Sequence, residues 1–215
     1  MCWVAGSIPP SCNLRNLRNL RNLRIVFAVR IIAGKYHGRN LKSPPSLEVR
    51  PTSDRLRETL FNVIAPRIEG ARFLDLCAGS GAVGIEALSR DAAHVTFVDR
   101  SRKMCALVEA NLDLCQIPED ETVVLQAEAT DFLHRQLRHS AEPWDIVFFD
   151  PPYAADYLTV LDNFGREAAS LLGENGLLIV EHHHKNKLKD EVGKILRVRT
   201  LKQGDSALSF YEINP

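Results

Sequence analysis

The chain of 215 residues predicts an α/β fold with a mostly parallel sheet, on three observations. Beyond Gly70, short apolar runs alternate with amphipathic stretches of ten residues or more. The runs are mostly apolar, as strands covered on both faces are, and the stretches between them suit helical crossovers. Gly79, Gly81 and Gly84 stand where the first of these runs gives way to a helix-forming segment. That is the tight strand-to-helix junction of such sheets.

Each element has its own signal. The first 28 residues look foreign to the rest, because Asn13 to Arg24 are four copies of N-L-R. A period of three drifts by roughly 60° per repeat around a helix, so the leucines make no straight stripe, and Asn is a poor helix former. Residues 1–28 are therefore expected to be a disordered basic extension. A transit peptide, or a true start near Val29, would also suit this Arg-rich and acid-free stretch. Val29–Ala33 and Arg39–Lys42 read as strands around the turn Gly34–Gly38, so residues 29–50 make a hairpin and a linker. From 51 to 215 one domain is expected. It opens with a helix: Thr52, Ser53 and Asp54 offer caps, and Leu56, Leu60, Val63 and Ile64 recur at helical spacing. Strands are predicted at Phe73–Leu76, His94–Val98, Thr122–Leu125, Asp145–Phe149 and Leu177–Val180. Helices are predicted at Ala82–Arg90, Arg102–Cys115, Ala129–Arg138 and Asp156–Leu172. Two last strands, Ile195–Leu201 and Ala207–Glu212, turn at Gly204-Asp205.

Composition narrows the function. Hydrophobic residues make up 45% of the chain, enough for a core, yet no run nears the roughly 18 apolar residues of a membrane helix. Formal charge is zero, but unevenly spread. Through Arg57 there are 11 basic residues against two acidic, a net of +9, and the remainder carries −9. A basic front on an acidic body suggests an arm for a polyanion. Five cysteines without a C-x-x-C pair read as reduced thiols of a cytosolic protein. The run His182-His183-His184 reads as surface residues rather than a metal site, since adjacent side chains diverge and no carboxylate cluster accompanies them.

Two constellations carry chemistry. In Asp75-Leu76-Cys77-Ala78-Gly79-Ser80-Gly81-Ala82-Val83-Gly84 the glycines let backbone approach a ligand closely. Asp75 discriminates among ligands: a carboxylate there repels a pyrophosphate and welcomes the ammonium of S-adenosylmethionine. Asp99 ends the next strand, where an acid accepts hydrogen bonds from ribose hydroxyls of either kind of cofactor. Glu128 either faces the adenine end or is a solvated loop acid. The second constellation is Asp150-Pro151-Pro152-Tyr153. An exocyclic amine conjugated to a ring is a poor nucleophile. A carboxylate and the Pro151 carbonyl are expected to accept its two N–H groups and turn its lone pair towards a methyl donor, while the prolines fix the backbone. Tyr153 is placed to stack on a base that has left its helix. Without a Pro-Cys pair, carbon-5 methylation of a pyrimidine is disfavoured.

With those motifs, Arg30-Ile31-Ile32-Ala33-Gly34-Lys35 and Arg50-Pro51-Thr52-Ser53-Asp54-Arg55-Leu56-Arg57-Glu58 resemble the bacterial RsmD family, the 16S rRNA guanine-N2 methyltransferases. The resemblance runs from about Val29 to the end. It implies a Rossmann-like S-adenosylmethionine-dependent sheet of seven strands, the last antiparallel, with a small N-terminal β-hairpin and helix appendage. It implies Asp150, Pro151, Pro152 and Tyr153 at the target amine, and Asp75, Gly79, Gly81, Asp99 and Glu128 at the donor. The implied partner is 16S rRNA in the small subunit or an assembly intermediate. A cytoplasmic monomer without metal or membrane partner is expected. Cys77 stands where that family usually has an aromatic, and the acids at 99 and 128 are exchanged. Arg30, Lys35, Arg39, Lys42, Arg50, Arg55 and Arg57 then become candidates for rRNA phosphates, with Arg39, Lys42, Arg50 and Arg55 foremost. The tetrad alone leaves adenine-N6 or another exocyclic amine open, and a non-catalytic RNA-binding assembly factor is the rival of a different class.

Overall fold

The structure, a computed structural model, describes residues 26–43, 54–139, 142–152 and 157–214. The N-L-R extension, Arg50 and Tyr153 lie outside them. Two strands, β1 (Val26–Arg30) and β2 (Asn40–Ser43), pair antiparallel, so the hairpin starts three residues earlier than expected. Helix α1 (Asp54–Ile68) follows, burying Leu56, Leu60, Phe61, Ile64 and Ile68 along one stripe. Then come β3 (Arg72–Leu76), α2 (Ala82–Ser89), β4 (His94–Asp99), α3 (Arg102–Cys115), β5 (Thr122–Gln126), α4 (Ala129–His139) and β6 (Trp144–Phe149). The predicted helix over 156–172 is two, α5 (Tyr157–Arg166) and α6 (Ala168–Leu171). After β7 (Leu172–His183), the two-residue β8 (Glu191–Val192), β9 (Ile195–Gln203) and β10 (Ser206–Ile213) complete the sheet.

Strand order in the main sheet is β5-β4-β3-β6-β7-β10-β9-β8. The first five in that order run parallel, and β10 is antiparallel to both β7 and β9. The seven expected strands are all present, and β8 adds a short eighth at the edge by pairing with β9. Connections run outward from β3 through β4 to β5, then return across β3 to β6. The reversal leaves a crevice beyond the carboxyl ends of β3 and β6, where ligands bind in sheets of this kind.

Strand alternation divides the core between two faces. Phe73, Val95, Phe97, Ile146, Phe148 and Ile179 pack towards α1, α2 and α3, and the hairpin contributes Val29, Ile31 and Leu41 to that layer. Leu74, Leu76, Val98, Val147, Phe149 and Val180 pack towards α4, α5 and α6. Burial of β3, β4 and β6 on both faces explains why their sequences are mostly apolar.

Candidate active site

The loop after β3 is shaped by backbone requirements. Gly79 and Gly81 take φ of 55° and 76°, the Gly81 N–H donates to the Ala78 carbonyl (2.8 Å), and α2 starts at once. Gly84 answers a different need: a Cβ there would lie 2.2 Å from the buried ring of Phe97, so only glycine lets α2 seat this close to β4. Cys77 has φ of 71°, which a residue with a Cβ adopts only at a cost.

Asp75 is 2% exposed at the end of β3, and its Oδ2 accepts the Gly84 N–H at 2.9 Å. Burial raises its pKa to about 7; the Gly84 hydrogen bond opposes the rise and the neighbouring Asp99 adds to it. Asp99 joins β4 to the loop, its Oδ2 accepting Gly79 N–H (2.9 Å) and its Oδ1 accepting Ser101 N–H (2.8 Å). A carboxylate has about four acceptor positions, so these bonds leave room for hydroxyls. Glu128 is exposed, lies 3.8 Å from Arg100, and lends its carbonyl to the first turn of α4. Asp150 follows β6 and its N–H donates to the Leu76 carbonyl (3.3 Å), which seats the tetrad beside the end of β3. Pro151 is buried and Pro152 exposed.

Cys77, noted in the sequence only as a departure, occupies the middle of this group. Its thiol pKa is driven up by burial first and then by Asp99, Asp150, Asp75 and Glu128. Four acids from the ends of four adjacent strands thus act on one point, making a polar crevice of negative field. Such a place favours a cation bearing hydroxyl groups and disfavours a polyphosphate. A cavity of about 420 Å³ is lined by Arg67, Glu69, Ala71 and Asp145 at the opposite ends of the strands, away from these residues.

The basic front departs from expectation at one position. Arg57, taken as an RNA contact, is fully buried: its Nη2 donates to the Arg30 carbonyl (2.7 Å) and to Asp54 Oδ1 (3.0 Å), and its Nε lies 3.9 Å from Glu86 Oε2. Burial lowers its pKa, and Glu86 and Asp54 oppose that. Helical period explains the placement, since Arg57 shares the inward stripe with Leu60, Phe61 and Ile64. Lys35 lies 3.5 Å from Glu121. Arg39 is half-buried, over the ring of Tyr36 at 5.2 Å, and its Nη1 donates to the Cys115 carbonyl at the end of α3. Lys42 pairs by backbone with Asn111, while Arg55 is exposed.

The histidine run is also corrected. His182 is 3% exposed, its Nε2 meeting Ser209 Oγ at 2.9 Å across the sheet. His183 and His184 stack at 4.7 Å, and a carboxylate does accompany them, because Asp205 brings a ligand atom within 4.8 Å of theirs. The rings lie only 26° from parallel, and His183 Nδ1 already accepts the Lys185 N–H.

Comparison with known proteins agrees with the fold. The family described as Conserved hypothetical protein 95 matches residues 29–212. The chain is 40% identical over 153 residues to Ribosomal RNA small subunit methyltransferase D of Escherichia coli (strain K12), covering 71% of each. It is 34% identical over 188 residues to YlbH of Bacillus subtilis (strain 168), 86% of this chain and 98% of that one. Among solved structures it is similar to yhhF from Escherichia coli, with a TM-score of 0.75 and 33% identity over 87% of this chain and 98% of the other.

Proposed function

The chain belongs to the family described as Conserved hypothetical protein 95, the RsmD family of methyltransferases, and from that membership we propose that it methylates the N2 amine of a guanine in 16S rRNA. The proposed substrate is the small ribosomal subunit or an assembly intermediate, and the enzyme a cytoplasmic monomer whose reaction uses no metal. The observation that carries the reading is the convergence of Asp75, Asp99, Glu128 and Asp150 around Cys77 at the switch point of the sheet.

These residues fit S-adenosylmethionine. Asp75 is available to the ammonium group, Asp99 to the ribose hydroxyls and Glu128 to the adenine end, while Gly79 and Gly81 keep the loop free of side chains. Bound there, the sulfonium supplies an electrophilic methyl group. Asp150 and the Pro151 carbonyl accept the two N–H groups of the amine, which frees its lone pair from the ring. Tyr153 stacks on the extruded base. S-adenosylmethionine held by these residues would supply its methyl group to the amine nitrogen and keep the sulfur's electron pair, and the amine proton would leave afterwards, so no strong base is required. Arg39, Lys42, Arg50 and Arg55 are proposed to meet phosphates.

The test is transfer of labelled methyl from S-adenosylmethionine to small subunits lacking the modification, with Asp150→Ala in parallel and nucleosides identified by mass. N2-methylguanosine that vanishes in the variant is the expected result. N6-methyladenosine would move the acceptor to adenine, and RNA binding without any transfer would favour an assembly factor.

A further inference from the structure

The seven basic side chains once grouped as an RNA arm are not equivalent. Lys35 and Arg57 are paired with acids within the molecule, and Arg39 gives one of its donors to the Cys115 carbonyl. Arg30 and Arg55 have no side-chain partner among the described residues, and neither does His37. These three line one cavity of about 300 Å³ between the hairpin and the first turns of α1, together with Ile32, Asp54 and Glu58. Of its two acids, Asp54 is already bonded to Arg57. The balance left facing the cavity is two arginines against Glu58, with an imidazole beside them.

The walls of this cavity are fixed from beneath. Arg57 grips the Arg30 carbonyl and the Asp54 carboxylate. Glu86, on α2 and fully buried, accepts the N–H groups of Ile32 (2.8 Å) and Ala33 (3.0 Å), and Arg90 Nε at 2.9 Å. At the end of the same helix Ser89 Oγ accepts Tyr36 N–H (2.9 Å), and the Ser89 carbonyl accepts Lys35 N–H (2.8 Å). Gly34 lies so close that a Cβ there would stand 1.7 Å from the Ser89 oxygen. Three of the six lining residues, Arg30, Ile32 and Asp54, are therefore held by the buried pair Arg57 and Glu86. A buried ion pair adds little stability over apolar side chains of the same size, so fixed geometry is its better explanation.

We propose that this cleft between the hairpin and α1 is a phosphate grip for the RNA backbone, with Arg30 and Arg55 as its donors and His37 on its rim. The proposal deepens the methyltransferase reading and rests on RNA being the substrate. Guanidinium forks suit a phosphodiester because they offer paired donors in a plane. Because α2 begins at the donor loop and ends at the hairpin, one short helix sets the distance from the gripped phosphate to the methyl donor.

The experiment is small-subunit binding by Arg30→Gln, Arg55→Gln and the double variant over a series of KCl concentrations. Arg135→Gln, exposed on α4 across the sheet, is the equal-charge control. Each lost phosphate contact should flatten the slope of log affinity against log salt by about 0.7 to 0.9, so the double variant should lose roughly 1.5. Affinity for S-adenosylhomocysteine and the melting temperature should stay as in the parent, since both arginines are exposed. Inorganic phosphate at millimolar levels should compete weakly with the parent and not with the double variant. An unchanged slope in the double variant, or an equal change in Arg135→Gln, would overturn the grip. Parent protein that binds subunits with this slope but labels no RNA would instead defeat the methyltransferase reading and leave the cleft standing.

Discussion

The Gly84 amide donates to Asp75 Oδ2 at 2.9 Å, so one hydrogen bond joins the end of β3 to the helix that leaves the glycine loop. It does not offset burial, which carries the Asp75 pKa up to about 7. A folded-state value above the unfolded one means that Asp75 favours folding fully below its unfolded pKa near 4. That contribution is lost as pH rises through about 7. Raising pH from 5 to 8 should therefore lower the melting temperature of the ligand-free protein more than that of Asp75→Asn. The difference should correspond to at most about 3 kcal/mol. Thermal melts of the two proteins across that range check this, and parallel curves would show that Asp75 is ionised throughout.

Ligand binding gives the same residue a second readout. An ammonium group beside Asp75 favours its anion, so binding at pH 6 must expel the proton that the free protein holds. Calorimetry of S-adenosylhomocysteine binding in two buffers of different ionisation enthalpy should report release of about one proton. Asp75→Asn should bind more weakly and release none.

Much of this was legible in the sequence, and the failures have physical causes. Parallel strands announce themselves because both faces are buried, and α3 falls on its predicted bounds, Arg102–Cys115. The short β8 and the break between α5 and α6 have no periodic signal. The positions of Asp75, Asp99, Glu128 and Asp150 were readable because each stands at or just beyond the end of a strand. Their meeting around Cys77 was not, since strand order decides it. Arg57 was misread because a charged residue is ordinarily exposed, and its buried partner Glu86 lies 29 positions away in an otherwise apolar helix. A lone acid within AVGIEALS was the available clue.

Gly84→Ala tests close approach directly. The added methyl meets Phe97 and Val95, both fully buried, so the ring has no open space to enter. Overpacking of this kind costs about 1–3 kcal/mol. Denaturant unfolding should show that loss, and Phe97→Leu in the same chain should recover part of it.

Glu86→Leu should cost about 3–5 kcal/mol, because it removes the buried countercharge beside Arg57, takes the partner of Arg90 and leaves two hairpin amides without acceptors. The specific signature is hydrogen exchange: the Ile32 and Ala33 amides should lose protection beyond the global change. Amides of β6, on the far side of the site, should follow global stability alone. Uniform loss across both elements would show that Glu86 is ordinary cement rather than the hairpin's anchor.

Cys77 invites the reading of a nucleophile, and its surroundings argue otherwise. Burial and four acids raise its pKa, so the thiolate is scarce at neutral pH. Its alkylation by iodoacetamide at pH 8 should be much slower than that of a free thiol, and Cys77→Ala should keep methyl transfer. The backbone adds a sharper expectation. At φ of 71° a side chain with a Cβ costs about 1–2 kcal/mol, which glycine does not incur. Glycine loses more entropy on folding, by about 0.5–1 kcal/mol. The two effects oppose, and the first is larger, so Cys77→Gly should be as stable as the parent or more stable by up to about 1.5 kcal/mol. Chemical denaturation measures this, and a loss above 1 kcal/mol would mean that the thiol's packing outweighs the strain of the loop.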